Sequence, residues 1–249
     1  MLLALSTWRE VEAYLTRSQG IIVPIGSTEQ HGPIGLIGTD WICAEAVARG
    51  VGERAGALIG PTLTLGANQF NLEFPGTISL RATTLMALVT DYLESAIGQG
   101  FRRFYLLNGH GGNVAPVRAA FHDLRLAHRD LHLRLRSWWE LPGANALRQE
   151  LYGAAEGMHA TPSEIAITQH VWPEQIRTAQ EPAPEALTPD FLRDHGGDQH
   201  EDAARHRARF PDGRVGSNSA LARPEQGERL LEAAITDAIA DYQALMSKR

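Results

Sequence analysis

The stretch "GIIVPIGSTEQHGPIGLIGTDW", from Gly20 to Trp41, decides the fold class. Its first part, Gly20 to Gly26, is an unbroken apolar run that closes on glycine. A run without alternation marks a strand buried on both faces of a parallel sheet. The loop that follows sets Glu29, His31 and Asp40 among glycines, a proline and apolar residues. Next, "DWICAEAVARGVGERAG" has helical spacing and ends at Gly56, which suits a left-handed C-terminal cap. Strand, loop and helix in this order open a βαβ unit.

Outward from there the alternation continues. Before it, a helix is expected from a cap near Ser6 or Thr7 to about Arg17. After it, "GALIGPTLTLG" reads as a strand and "NQFNLEFPGTISL" as a loop or edge segment. "RATTLMALVTDYLESAIGQG" reads as a helix capped near Thr83 or Thr84 and stopped at Gly98 to Gly100. "FRRFYLLNG" is a strand, "HGGN" a tight turn, "VAPVRAAFHDLRLAHR" a helix, and "LHLRLRSWW" an alternating strand. Residues 173–212 lose the pattern and become rich in Pro, Gly and charge, as a surface excursion or subunit contact would be. The tail from Arg223 is a long amphipathic helix. The expectation is one α/β domain over residues 1–249, three-layered α/β/α, with a mainly parallel central sheet.

Bulk composition agrees with a globular chain. The 249 residues are 43% hydrophobic and 21% charged, with a formal net charge of −6. That balance argues against a nucleic-acid partner, which needs a dense basic face. Cys43 is the only cysteine, so no intrachain disulfide can form, which fits a reducing compartment. The apolar start is short, with no basic region before it, so it is not a signal peptide, and no run approaches a membrane span. These features give the expectation of a soluble, cytoplasmic protein without membrane or nucleic-acid partners.

Ligands of open parallel sheets bind beyond the carboxyl ends of the strands. Three polar clusters fall there or on neighbouring helices: Glu29, His31 and Asp40; His110 in "NGHGGN"; and His159 with Glu164 in "MHATPSEIAIT". Singly, each has a bland explanation. Asp40 could be a helix N-cap, Glu164 a first-turn acid and His110 a structural histidine. At successive strand ends they point together to a metal site. Carboxylates and imidazoles without thiolates suit Zn²⁺, Mn²⁺ or Fe²⁺. One aspartate can bridge two ions, and Glu29 and His31 could each serve a different one. His159 is a candidate proton donor or a support for Glu164. Asn113 could orient the turn or the substrate, with a helix N-cap the simpler role. Trp139 could wall a pocket or pack in the core. His195, His200 and His206 could form an extra metal site, with a solvated loop the simpler reading.

"PIGSTEQHGPIGLIGTD" resembles the signature of the creatininase (creatinine amidohydrolase) family, close to P-x-G-S-x-E-Q-H-G-P-H-L-P-x-x-T-D. "FPGTISL", "NGHGGN", "HATPSE" and "PDGRVGSNSALARPEQGERLL" resemble family segments in the same order. The resemblance implies an α/β/α layered domain, assembly as a homohexamer, and two divalent metals per chain. It implies hydrolysis of a non-peptide C–N bond of a small molecule, such as a cyclic amide or formamide. Carried over, Glu29, Asp40 and His110 bind one metal, and His31, Asp40 and Glu164 the other, with Asp40 bridging. His159 and Glu164 are the expected catalytic pair. Gly112 stands where creatininases carry a metal-binding Glu, so this chain resembles the "NGHGGN" branch, which includes pyrimidine deformylases. Ile34 and Asn71 stand where many members have His, and "HATPSE" departs from H-A-G-x-x-E-T. Asn71, Trp139 and Asn113 are therefore candidate substrate contacts. The alternatives are hydrolysis of a peptide bond or of a C–C bond in a cyclic ketone, and a non-catalytic metal-binding scaffold.

Overall fold

The computed structural model describes residues 1–180, 182–196, 200 and 202–247. Four strands form its sheet: β1 (Gly20–Ile25), β2 (Leu58–Ile59), β3 (Arg103–Asn108) and β4 (His132–Ser137). All neighbours are parallel, in the order β2-β1-β3-β4. The register runs Gly20 opposite Arg103 to Ile25 opposite Asn108, and Arg103 opposite His132 to Asn108 opposite Ser137. Three strands therefore end level, and the loops leaving them emerge side by side.

Helices cover both faces, so the expected α/β/α layering is what the chain forms. On one side lie α1 (Trp8–Leu15), α3 (Ala82–Gly98) and α4 (Val114–Ala127); on the other lie α2 (Thr39–Ala55), α5 (Pro142–Tyr152), α6 (Pro162–Val171) and α9 (Pro224–Met246). The short helices α7 (Pro189–Asp194) and α8 (Ala203–Arg209) belong to the 173–212 excursion. Ile21, Val23, Ile25, Phe104 and Leu106 enter the first core, with Leu85, Val89, Val117 and Leu124. Ile22, Tyr105 and Leu107 face Val47, Val51, Leu230 and Tyr242 in the second. Each such buried side chain contributes about 1.5–3 kcal/mol relative to exposure, and this two-sided burial explains the unbroken apolar runs.

Several local expectations need correction. Thr7 caps α1 in a capping box with Glu10, but the helix stops at Leu15. Only Leu58–Ile59 of "GALIGPTLTLG" is strand, because Gly60 and Pro61 interrupt it and Pro61 has no N–H to donate. Helix α3 starts at Ala82, so Thr83 and Thr84 lie inside its first turn rather than capping it. The β4 strand ends at Ser137, and Trp138 and Trp139 sit in a 3₁₀ turn. Helix α5 is absent from the sequence reading; its Pro142 at the first position was the available signal. His195, His200 and His206 are not a simple solvated stretch. The His200 ring lies 4.5 Å from the Phe70 ring and 4.9 Å from that of His206, which is buried. No helix among the described residues is long and apolar enough to cross a membrane.

Candidate metal centre

The level ends of β1 and β3 bring the three polar clusters together. The loop after β1 carries Glu29 and His31, and Asp40 occupies the first turn of α2. The turn after β3 carries His110, and the segment entering α6 carries His159 and Glu164. All six are buried. Ligand atoms of Glu29, Asp40 and His110 lie within 4.8 Å of one another, as do those of His31, Asp40 and Glu164. Asp40 belongs to both sets. A third set, Glu29, His31 and His159, meets the same distance.

The imidazoles are oriented by backbone. His31 Nδ1 lies 3.1 Å from the Glu29 carbonyl, which leaves Nε2 aimed at Asp40 Oδ1 (2.9 Å) and Glu164 Oε1 (3.9 Å). His110 Nε2 donates to the Ala67 carbonyl at 3.0 Å. Its Nδ1 faces Glu29 Oε1 at 3.1 Å and Asp40 Oδ2 at 3.2 Å. A ring whose far nitrogen is held by a carbonyl presents its near lone pair to a metal. His159 Nε2 lies 2.8 Å from the Gln30 carbonyl, so its Nδ1 faces Glu29 Oε1 at 3.7 Å. His159 therefore stands against Glu29, and Glu164 is held by the helix start. Thr161 and Glu164 form a capping box, with Thr161 N donating to Glu164 Oε1 at 2.6 Å. The spacing Thr161-Pro-Ser-Glu164 was a legible sign of it. Ala160, between His159 and the cap, sits at φ 57, a strained position for a residue with a Cβ.

Burial and charge oppose each other here. Burial alone would lower the His31 imidazole, but Asp40, Glu164 and Glu29 overcome it and lift it to about 10. Burial likewise resists ionisation of Asp40, yet His31 and His110 hold its carboxyl well below the usual range. His110 rises well above its ordinary value because Glu29 and Asp40 outweigh burial. Glu164 is pushed up to about 7, first by burial and then by Asp40, with His31 pulling it down. Glu29 Oε2 is buried without a hydrogen-bond partner among the described residues, while Glu29 Oε1 and Asp40 Oδ2 are buried against the Nδ1 of His110. Buried carboxylate oxygens demand a donor or a cation. The donor set and the unpartnered Oε2 of Glu29 fit divalent cations of the kind that oxygen and imidazole ligands select.

A cleft of about 400 Å³ opens onto this floor, lined by Asp40, His110, His159 and Glu164 and walled by Trp138 and Trp139. Trp138 is buried, whereas Trp139 is half-buried. Asn71 and Asn113 do not line it. Asn71 Oδ1 accepts from Gln30 Nε2 at 2.8 Å. Asn113 is not a side-chain N-cap for α4. Its Nδ2 donates to the Gly26 carbonyl at 2.9 Å, and its Oδ1 accepts from Ala67 N at 3.2 Å. It ties the loops after β1 and β3 to the carbonyl that holds His110. Arg148, which the sequence reading passed over, also lines the cleft; it donates to Glu156 Oε1 at 2.7 Å and to the Trp139 carbonyl at 3.0 Å.

A model of the creatininase family, described as creatinine amidohydrolase, matches residues 4–241. The chain belongs to the creatininase family. Within that family it is 35% identical over 167 residues to a mycofactocin precursor peptide peptidase of Mycobacterium ulcerans (strain Agy99), covering 64% of this chain and 60% of that one. It is 34% identical over 157 residues to a creatinine amidohydrolase of Pseudomonas putida, covering 59% and 60%. The chain thus spans about 60% of the length of these curated relatives. A crystal structure of creatinine amidohydrolase (creatininase) superposes with a TM-score of 0.79 at 27% identity, over 100% of this chain and 98% of that one. The structure named "Creatininase Mn" gives 0.79 and 27% over 99% of both. The resemblance read from the motifs is therefore borne out, as is the fold it implied.

Proposed function

We propose that this chain is a metal-dependent hydrolase that cleaves a carbonyl C–N bond of a small amide with two divalent ions. Glu29, Asp40 and His110 would hold one ion; His31, Asp40 and Glu164 would hold the other. The observation that carries this is Asp40, a buried carboxylate common to two ligand sets, beside a buried Glu29 whose Oε2 has no hydrogen-bond partner among the described residues. When bound, such a pair of ions polarises a carbonyl oxygen and makes water a nucleophile near neutral pH.

The chain's own groups complete the reading. His159, with its Nε2 proton directed at the Gln30 carbonyl, offers Nδ1 to take a proton from the attacking water. The same atom returns that proton to the leaving nitrogen. Trp139 walls the substrate, and Arg148 fixes the carbonyl end of Trp139. A cleft of about 400 Å³ suits a small ligand. The relatives named for manganese and for creatinine hydrolysis support the metal and the bond type.

A peptide substrate is the second reading, favoured by relatives named mycofactocin precursor peptide peptidase. Incubating protein loaded with Zn²⁺ or Mn²⁺ with cyclic amides, formamides and short peptides separates the two by the products released. Turnover on a cyclic diketone alone would move the reading to C–C cleavage, and no turnover anywhere would favour a scaffold. The homohexamer implied by the family stays part of the proposal; a monomer in light scattering would remove it.

A further inference from the structure

We infer that Arg118 selects substrates, and that the cleft takes amides carrying a carboxylate. This rests on the amide-hydrolase reading and adds the substrate class. Helix α4 starts directly after the His110 turn, and its Val114 and Arg118 both line the cleft. They are four residues apart, so Arg118 lies about 6 Å further along the helix, on the same side. The side chain is exposed, and it has no carboxylate, carbonyl or ring partner among the described residues.

That isolation is unusual in this chain. Arg54 pairs with Glu232, Arg102 with Asp130, Arg134 with Asp241 and Arg214 with Asp212. Arg148, the other arginine of the cleft, is neutralised by Glu156 and fixes Trp139. Arg81 and Arg129 share the lack of a partner, but neither lines the cleft. A guanidinium presents a rigid fork of donors that matches a carboxylate in two parallel hydrogen bonds. Inside a cleft its charge is screened less than on an open surface. Glu140, on the turn after β4, lines the same cleft with no partner among the described residues and disfavours a second anionic group. The chemistry that fits is a single carboxylate attached by a short spacer to the amide.

The test is calorimetric binding to the metal-loaded protein, with N-acetylglycine, N-acetyl-β-alanine and N-acetyl-γ-aminobutyrate, each against its uncharged primary amide. At one spacer length or more, the acid should bind about 10-fold or more tightly than its amide. Arg118→Gln should abolish that preference and leave the amide's affinity unchanged, and Arg118→Lys should keep part of it. Arg118 holds no other group, so neither variant disturbs the fold; circular dichroism checks this. No preferred acid at any spacer overturns the inference. So does a preference that survives in Arg118→Gln, which would give the carboxylate to the metal site. Preference without turnover fails the hydrolase reading alone, and turnover without preference fails this one alone.

Discussion

Replacing Asp40 by Ala should empty both metal positions, and the two-set geometry makes that outcome specific. Asp40 Oδ1 lies 2.9 Å from His31 Nε2 and Oδ2 lies 3.2 Å from His110 Nδ1, so its two oxygens face different ligand sets. The ligand atoms in each set are within 4.8 Å of one another. A cation held in either therefore sits about 4 Å or less from the Asp40 charge. At an effective dielectric of about 20, a unit charge pair at that distance is worth about 4 kcal/mol. Each ion should then bind at least about a thousandfold more weakly, since about 1.4 kcal/mol is a factor of ten. Glu29 belongs to only one of the two proposed pairings, as does Glu164. Elemental analysis of protein purified without chelator should find about two metals per chain in the wild type, about one in Glu29→Gln, and almost none in Asp40→Ala. Asp40→Asn, which preserves volume, guards against a packing defect. Two metals retained in Asp40→Ala, or the same loss in Glu29→Gln as in Asp40→Ala, would refute the shared-ligand geometry.

Three further outcomes follow from the same contacts. Asn113→Ala removes the tie to Ala67, whose carbonyl holds His110 Nε2, so metal affinity should fall about 10–100-fold for one ion and not the other, read by chelator competition. Gly109→Ala places a Cβ 2.0 Å from the Asp40 carbonyl, and Gly227→Ala places one 1.9 Å from the Ala166 carbonyl. Both should cost about 1–3 kcal/mol in thermal unfolding, but only Gly109→Ala should also weaken metal binding. In metal-free protein His31 and His110 have raised pKa values, so near neutral pH both stay protonated, and cation binding should release one proton from each. Glu164, raised to about 7, adds about half a proton near neutral pH, so calorimetry in buffers of different ionisation enthalpy should count between two and three protons, with affinity rising as pH rises towards 10; no release would contradict the ligand assignment.

The sheet was legible in the sequence because burial on two faces writes itself as unbroken apolar runs. β1 and β3 show it over "GIIVPI" and "RFYLLN". Local chemistry was less legible where tertiary contacts outbid local preference. Asn113 stands where an N-cap belongs, yet its amide bridges Gly26 and Ala67, which are distant in sequence. Trp139 follows an alternating strand, yet the strand stops at Ser137, and the half-buried side chain both lines the cleft and packs against the core. Asn71 was a candidate contact from a motif position; its Oδ1 accepts from Gln30 and its Nδ2 lies 3.4 Å from His159 Nε2, so it stands behind the cluster. Glu164 shows why the bland and the chemical readings need not compete. It closes the capping box of α6, and the same Oε1 lies 3.9 Å from His31 Nε2.

The cap also explains how a six-group buried cluster tolerates its own charge. Three buried carboxylates gathered this closely would repel one another by several kcal/mol in a medium of low dielectric. The chain answers by placing two of them at helix starts, Asp40 in the first turn of α2 and Glu164 in the first turn of α6, where the helix dipole favours negative charge. Glu29 has no helix start behind it: it lies on the loop after β1, fully buried, with Oε1 against the His110 imidazole and Oε2 without a hydrogen-bond partner among the described residues. The stability of that loop should accordingly depend on a cation more than that of either helix start. With ions bound at about a thousand times their Kd, the folded state gains about 4 kcal/mol. That raises Tm by roughly 8–16 °C for a chain of this size. Chelation should reverse the gain in the wild type and do nothing in Asp40→Ala. In the wild type, hydrogen exchange should rise first around Glu29 and His31 rather than in α2 or α6. Uniform exchange across all three segments would show that the metal set stabilises the chain globally and that the helix starts carry no special share of the charge.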